Sequence, residues 1–236
     1  MIHYGINYQK RLFLYLLAGG FLPLLLVSGI ILYAAGHMYE ATQERSARME
    51  VQRISAEVDH LVSGYQQMIS PLLARAETEA FLRGRETNAE HIYGELYATL
   101  AGRSGEAAIY LLSADGQRVI ATDDLPRAYR LPLNLDWGLI GQAARRQDWV
   151  LLSADRYAPD QRDTVFSMAH AVRQGGSLLG FVVVDVKREA LVPLIQRVQG
   201  SSEGQIILTD RYRYVMMDMS DRRRKGFSSL FSARSE

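Results

Sequence analysis

The sequence predicts an α+β protein: a transmembrane helix, a long juxtamembrane helix, and a PAS-like antiparallel sheet with flanking helices. Three observations carry this. Residues 12–39, "LFLYLLAGGFLPLLLVSGIILYAAGHMY", contain no Asp, Glu, Lys or Arg. From Val51 onward, apolar residues recur three and four positions apart. Beyond Ala107 the periodicity changes to that of strands punctuated by turn residues.

Composition narrows the classes further. With 236 residues, 48% of them hydrophobic and 22% charged, the chain can bury a core. A net charge of +1 provides no bulk attraction to nucleic acid or anionic lipid. The absence of cysteine excludes disulfides, thiolate nucleophiles and cysteine–zinc sites.

The apolar run exceeds the roughly twenty residues that span a bilayer and the roughly 7–15 of a signal-peptide core. The "YAAG" at its end keeps a cleaved signal peptide open as the alternative. Lys10 and Arg11 precede the run, and Glu40 and Glu44 follow it among Arg45 and Arg48. The positive-inside rule then places residues 1–11 in the cytoplasm, a membrane helix at 12–36, and everything after about residue 37 outside. No second apolar run of that length follows, so the expectation is a single-pass membrane protein.

Val51, Ile54, Val58, Leu61, Tyr65, Met68 and Leu72 fall on one helical stripe. Such a stripe serves a coiled-coil homodimer or packs on the chain's own domain, and both remain open. Pro71 is expected to end or kink this helix. "PLLARAETEAFLRG" is a second helical piece closed by Gly84, and residues 88–101 are a third with Asn88 as N-cap.

"AAIYLLSADGQRVIAT", residues 107–122, is a hairpin turning at Asp115-Gly116. "PLNLDWGLIGQAARRQ" is a short helix or helical loop. "DWVLLSADRYA", "TVFSMAHAVRQ" and "LLGFVVVDVK" are further strands, the last two joined at Gly175-Gly176, and "REALVPLIQRV" is a closing helix. Residues 203–218, "EGQIILTDRYRYVMMD", repeat the pattern of 107–122: apolar strand, Ser or Thr then Asp, polar turn, returning strand.

In this order, the elements resemble the double Cache (dCache) sensors in the extracytoplasmic part of bacterial receptors. The resemblance rests on the membrane span, long helix, "IYLLSADG", "FSMAHAV" and "LLGFVVVDV". It implies a juxtamembrane helix and following helical piece at 37–83 and a membrane-distal PAS-like module at 84–198. Residues 199–236 would then be the start of a membrane-proximal module, apparently truncated. The likeness is greatest to the N-terminal part of a sensor histidine kinase; chemoreceptors and diguanylate cyclases share the fold. It also implies a small-molecule pocket in the distal module. In the family's amino-acid binders an arginine two residues before a tryptophan holds the carboxylate, an aromatic follows the tryptophan, and an aspartate ending the last strand holds the amine. Trp149 and Asp185 match that pattern. Gln147 replaces the arginine and Val150 the aromatic, with Arg145 or Arg146 in reach from a shifted register.

The expected ligand-binding residues are therefore Trp149, Asp185, Tyr157, His170 and Arg146. An indole supplies a flat face and one N–H. A carboxylate within "VVVDV" needs a cation or several donors, because an unpaired buried charge is costly. The competing roles are core packing for Trp149, a helix cap or strand end for Asp185, a solvated loop for Tyr157, and a satisfied strand histidine for His170.

No catalytic residue, metal site or cofactor is expected. The histidines His3, His37, His60, His91 and His170 form no H-x-x-x-H pair. Phosphate-loop and G-x-S-x-G motifs are absent, as are a kinase's phospho-acceptor helix and ATP site. The cations in "DRRRKG", residues 221–226, lack interleaved aromatics and suit a solvated loop better than nucleic acid. Two classes remain open: a solute-sensing receptor ectodomain, or a membrane-anchored interaction or dimerisation protein with no small ligand.

Overall fold

A computed structural model of the chain describes residues 3–85, 89–154, 163–199, 206–210 and 212–219. It divides into two compact units, Met1–Arg53 and Ile54–Glu236.

The first unit is the amino-terminal part of helix α1 (His3–Leu73). Its apolar side chains have no protein to pack on: Leu16 is 70% and Leu32 73% exposed. A helix apolar on every side suits lipid. It is the one helix among the described residues long and apolar enough to cross a membrane.

The second unit begins where α1 becomes amphipathic. Ile54, Tyr65, Ile69 and Leu72 are buried, and Val58, Leu61 and Met68 pack against the same core, whereas Val51 is exposed. From Ile54 the predicted stripe thus packs on the chain's own domain. Burying each aliphatic member contributes about 1.5–3 kcal/mol. Pro71 does not stop the helix at Ser70; α1 runs three residues further, to Leu73. Proline removes only one N–H, and the Ser70 hydroxyl donates to the Gln66 carbonyl at 2.8 Å in the same turn.

Next come α2 (Ala76–Leu82) and α3 (Ala89–Thr99), the latter beginning just beyond Asn88, which lies outside the described residues. Strands β1 (Ala107–Ser113) and β2 (Val119–Ala121) form the expected hairpin. Its loop is longer than a two-residue turn, since Ser113 N–H donates to Arg118 carbonyl and Asp115-Gly116 lies inside. A short 3-10 turn (Arg127–Tyr129) and α4 (Gly138–Ala144) lead to β3 (Val150–Ser153), β4 (Thr164–Gln174) and β5 (Ser177–Lys187). Helix α5 (Arg188–Gln199) follows directly. The sheet runs β2-β1-β5-β4-β3 with every pairing antiparallel, as the expected α+β fold with flanking helices requires.

Two cores lie on its two faces. One side carries Ile109, Leu111, Met168, Val182, Val184 and Val186, covered by α1, α2, α3 and α5. The other carries Ala108, Tyr110, Ala169, Ala171, Phe181 and Val183, covered by the 3-10 turn and α4. A separate hairpin, β6 (Ile207–Thr209) and β7 (Val215–Asp218), forms the second predicted pair. Its Met217 joins the helix-side core and the Ser153 hydroxyl donates to Val215 carbonyl.

The turn between β4 and β5 requires glycine twice, with φ of 57° at Gly175 and 83° at Gly176. Four residues on, Gly180 passes so close to β1 that a Cβ there would stand 2.2 Å from the Leu112 carbonyl oxygen.

Gly180→Ala is therefore expected to destabilise the full chain by about 2 kcal/mol or more in thermal unfolding. Gly94→Ala, in α3 where a Cβ meets nothing within 4 Å, is expected to be neutral or to gain up to about 1 kcal/mol. Equal effects would contradict the close approach. Tyr65 offers a second check, because its buried hydroxyl has no partner among the described residues and burial pushes its pKa up to about 12. Tyr65→Phe is expected to raise the unfolding midpoint, since it removes an unsatisfied polar group worth about 1–3 kcal/mol; a fall would show that the hydroxyl is satisfied.

Candidate functional site

Alternation along β5 sends Phe181, Val183 and Asp185 to the face covered by the 3-10 turn and α4. Asp185 stands opposite Ala108 on β1 and Ser167 on β4. It is 0% exposed, and a carboxylate so placed needs donors. The Ser167 hydroxyl donates to Asp185 Oδ1, and the Tyr129 hydroxyl lies 2.5 Å from the same oxygen and 2.8 Å from Ser167 Oγ. Tyr129 has one proton, so it donates either to the carboxylate directly or through Ser167. Asp185 is neither the cap of α5 nor an exposed strand end.

A second phenol closes the group. Tyr110 packs edge-on against Tyr129, with ring centroids 5.3 Å apart. Burial pushes its pKa far above the ordinary value, and the nearby charge of Asp185 adds to the rise. Tyr110 thus stays a neutral donor beside a carboxylate. Small residues on this face, Ala108, Ala169 and Ala171, leave the space that the two tyrosines occupy.

The loop carrying Tyr129 is held at both ends. Asn134 Nδ2 donates to the carbonyls of Arg127 and Arg130 at 2.7 and 3.0 Å. At the other end Lys187 Nζ donates to Asp123 Oδ2 at 2.6 Å, joining the loop after β2 to the end of β5. That hydrogen bond holds the Asp123 carboxyl below its ordinary range, against a smaller upward push from burial.

The other expected residues lie elsewhere. Trp149 and His170 belong to the helix-side face, stacked with centroids 5.3 Å apart and an interplanar angle of 26°. The sheet therefore separates Trp149 from Asp185, which the sequence pattern had joined in one pocket. His170 is half-buried, its Nδ1 has no partner among the described residues, and burial lowers its pKa. Arg146 is exposed on the turn after α4. Tyr157 lies outside the described residues, as do residues 221–226.

Sequence reasoning missed Tyr129, Tyr110 and Ser167. Only Ser167 had a usable signal: counting back from the Gly175-Gly176 turn brings it near Asp185, one position out of register. Trp137, at the N-cap position of α4, is also a tryptophan near this face, but it is 74% exposed.

No family model and no curated protein matches the chain. Among solved structures it is similar to the sensory domain of the Campylobacter jejuni chemoreceptor Tlp3 (CcmL) with isoleucine bound: TM-score 0.52, 14% identity, covering 85% of this chain and 78% of that one. A second structure of that sensory domain aligns with TM-score 0.53 and 16% identity over 78% of this chain and 74% of that one. Its ligand-binding domain in complex with L-valine aligns with TM-score 0.51 and 17% identity over 78% and 73%. At these identities the likeness establishes the fold alone: the chain shares the α+β fold of the Tlp3 sensory domain.

A carboxyl more acidic in the folded than in the unfolded chain adds stability above its unfolded value, about 3.9 for Asp, and loses it as pH falls through the folded value. Unfolding midpoints followed from about pH 6 to about pH 2 should therefore fall less steeply for Asp123→Asn than for the unaltered chain below that value. Parallel curves would show that the Lys187 contact adds nothing.

Proposed function

We propose that residues after about 37 are the extracytoplasmic, solute-sensing part of a transmembrane signalling receptor, anchored by residues 12–36 with the amino terminus in the cytoplasm. The observation that carries this is the buried Asp185–Ser167–Tyr129 group on the loop-covered face of a sheet with a sensory-domain fold. A fully buried carboxylate ringed by hydroxyls recognises a donor, and an ammonium or amine on a small organic solute is the complementary chemistry. The solved relatives carry isoleucine and valine, which have such a group.

The arginine of the amino-acid pattern is not matched in register, which leaves Arg145 or Arg146 from a shifted register. Gln147 and Val150 occupy the arginine and aromatic positions, and Trp149 faces the other side of the sheet. The ligand class is therefore amine-bearing solutes in general, with Tyr157 and Arg146 as further contacts. A chemoreceptor is supported at least as well as a histidine kinase, since the similar structures are chemoreceptor domains. The residues present perform no catalysis in this reading. Residues 84–198 form the sensing module and residues 199–236 begin a second one. Homodimerisation is part of the proposal, as in signalling through paired helices.

One observation favours a second reading. Asp185 already accepts hydroxyl hydrogen bonds within its own domain, and a satisfied buried network can serve specificity of folding alone. The module would then bind a protein partner or only dimerise.

A thermal-shift screen of the full chain in detergent, against amino acids, simple amines and polyamines, separates the two. Sensing predicts a rise with at least one amine, corresponding to about 2.7 kcal/mol at a hundredfold excess over Kd. The rise should be absent from Asp185→Asn. A flat screen of folded protein, or a rise that Asp185→Asn retains, overturns the assignment.

A further inference from the structure

We propose a second small-molecule site on the opposite face of the sheet, at the end of α1, for an aromatic carboxylate. A cavity of about 300 Å³ opens there, walled by Ser70, Leu73 and Ala74 on one side and by Trp149, His170 and Arg173 on the other. Ligand pockets run from about 300 to 1,000 Å³, so this one suits a single-ring compound.

The chemistry of the walls selects the ligand. The stacked Trp149 and His170 rings give a flat π surface, and Leu73 extends it with an aliphatic one. Trp149 can only donate through its indole N–H. His170 Nδ1 is closed off from solvent, so Nε2 is the ring nitrogen that a ligand can reach. Among the described residues Arg173 is the one full-time charge in the lining. It lies at the edge of the sheet, where its Nη2 donates to the Ala144 carbonyl at the end of α4 and the guanidinium keeps further N–H donors.

Among the described residues no carboxylate lines the cavity. Asp148 acts on His170 through its charge but is exposed, where solvent and salt screen it. A planar apolar body with one carboxylate satisfies these walls together: ring against Trp149 and His170, carboxylate against Arg173. An amine would find no carboxylate among the described lining residues and would be repelled by the Arg173 charge. The site thus differs in ligand class from the Asp185 face, and neither proposal depends on the other. Because its walls come from the end of α1 as well as from β4 and from Trp149 just before β3, an occupant would bridge the last turn of α1 to the sheet.

The chain has two tryptophans, so Trp137→Phe leaves Trp149 as the sole indole reporter. In that background, with the full chain in detergent, sodium benzoate is titrated against Trp149 emission and compared with uncharged benzamide. A saturable change is expected with benzoate, at least about tenfold weaker with benzamide. Arg173→Gln should weaken benzoate about tenfold or more, and Ala74→Leu, which fills the cavity from the other wall, should also weaken it. Asp185→Asn should leave it unchanged. Thermal melts establish that each variant is folded; if one is not, the other wall's variant decides. The proposal falls if benzoate gives no saturable change, if benzamide equals it, if folded Arg173→Gln binds as before, or if Asp185→Asn abolishes the response.

Discussion

Pairing of β4 with β5 is the constraint on which the rest of the domain depends. These are its two longest strands, and β5 is the middle strand of the sheet. Their tight turn pairs Gln174 with Ser177, but a bulge between Val172 and Arg173 shifts by one the pairs from Val172–Gly180 to Phe166–Val186. A one-residue shift in a strand exchanges the faces of all the side chains beyond it. The bulge therefore sets Ser167 beside Asp185 and sends His170 to the helix side, opposite Val182. Without it, Ser167 would pair with Val184, and His170 would share a face with Asp185.

The buried carboxylate then organises its own surroundings. Asp185 is tolerable at 0% exposure because hydroxyls from β4 and from the 3-10 turn converge on it. That convergence needs the loop from β2 to α4 to lie across the sheet, and the Lys187–Asp123 and Asn134 contacts hold it there. Small residues at Ala108, Ala169 and Ala171 complete the arrangement by giving the tyrosine rings room. In the proposed sensing role, stability and recognition are served by the same atoms. An amine would offer Asp185 a stronger, charge-assisted version of bonds it already makes.

The opposite face works by different physics. Its core is aliphatic, built from Val182, Val184 and Val186 against Ile69, Leu72 and Leu191, and it gains from area buried rather than from directed bonds. Polar side chains gather at its margin, where Trp149, His170 and Arg173 meet the end of α1, while the Tyr65 hydroxyl lies within it. The sheet thus presents an acceptor on one side and donors on the other.

The sequence alone determined the elements and their order. An uncharged run, a 3.6-residue stripe, glycine turns and "VVVDV" are local signals, and each specifies helix, strand or turn through backbone preference and periodicity. It also singled out Asp185, because a charge inside an apolar strand is anomalous wherever the strand lies. Only the tertiary structure decided which residues share a face. Trp149 and His170 are recognisable in the sequence as candidates, yet their separation from Asp185 follows from a single bulge that carries no composition signal. Tyr129, distant from Asp185 along the chain, meets it only because the loop folds over the sheet. Local pattern is written residue by residue, whereas the site is assembled by register and loop packing, which depend on the whole domain at once.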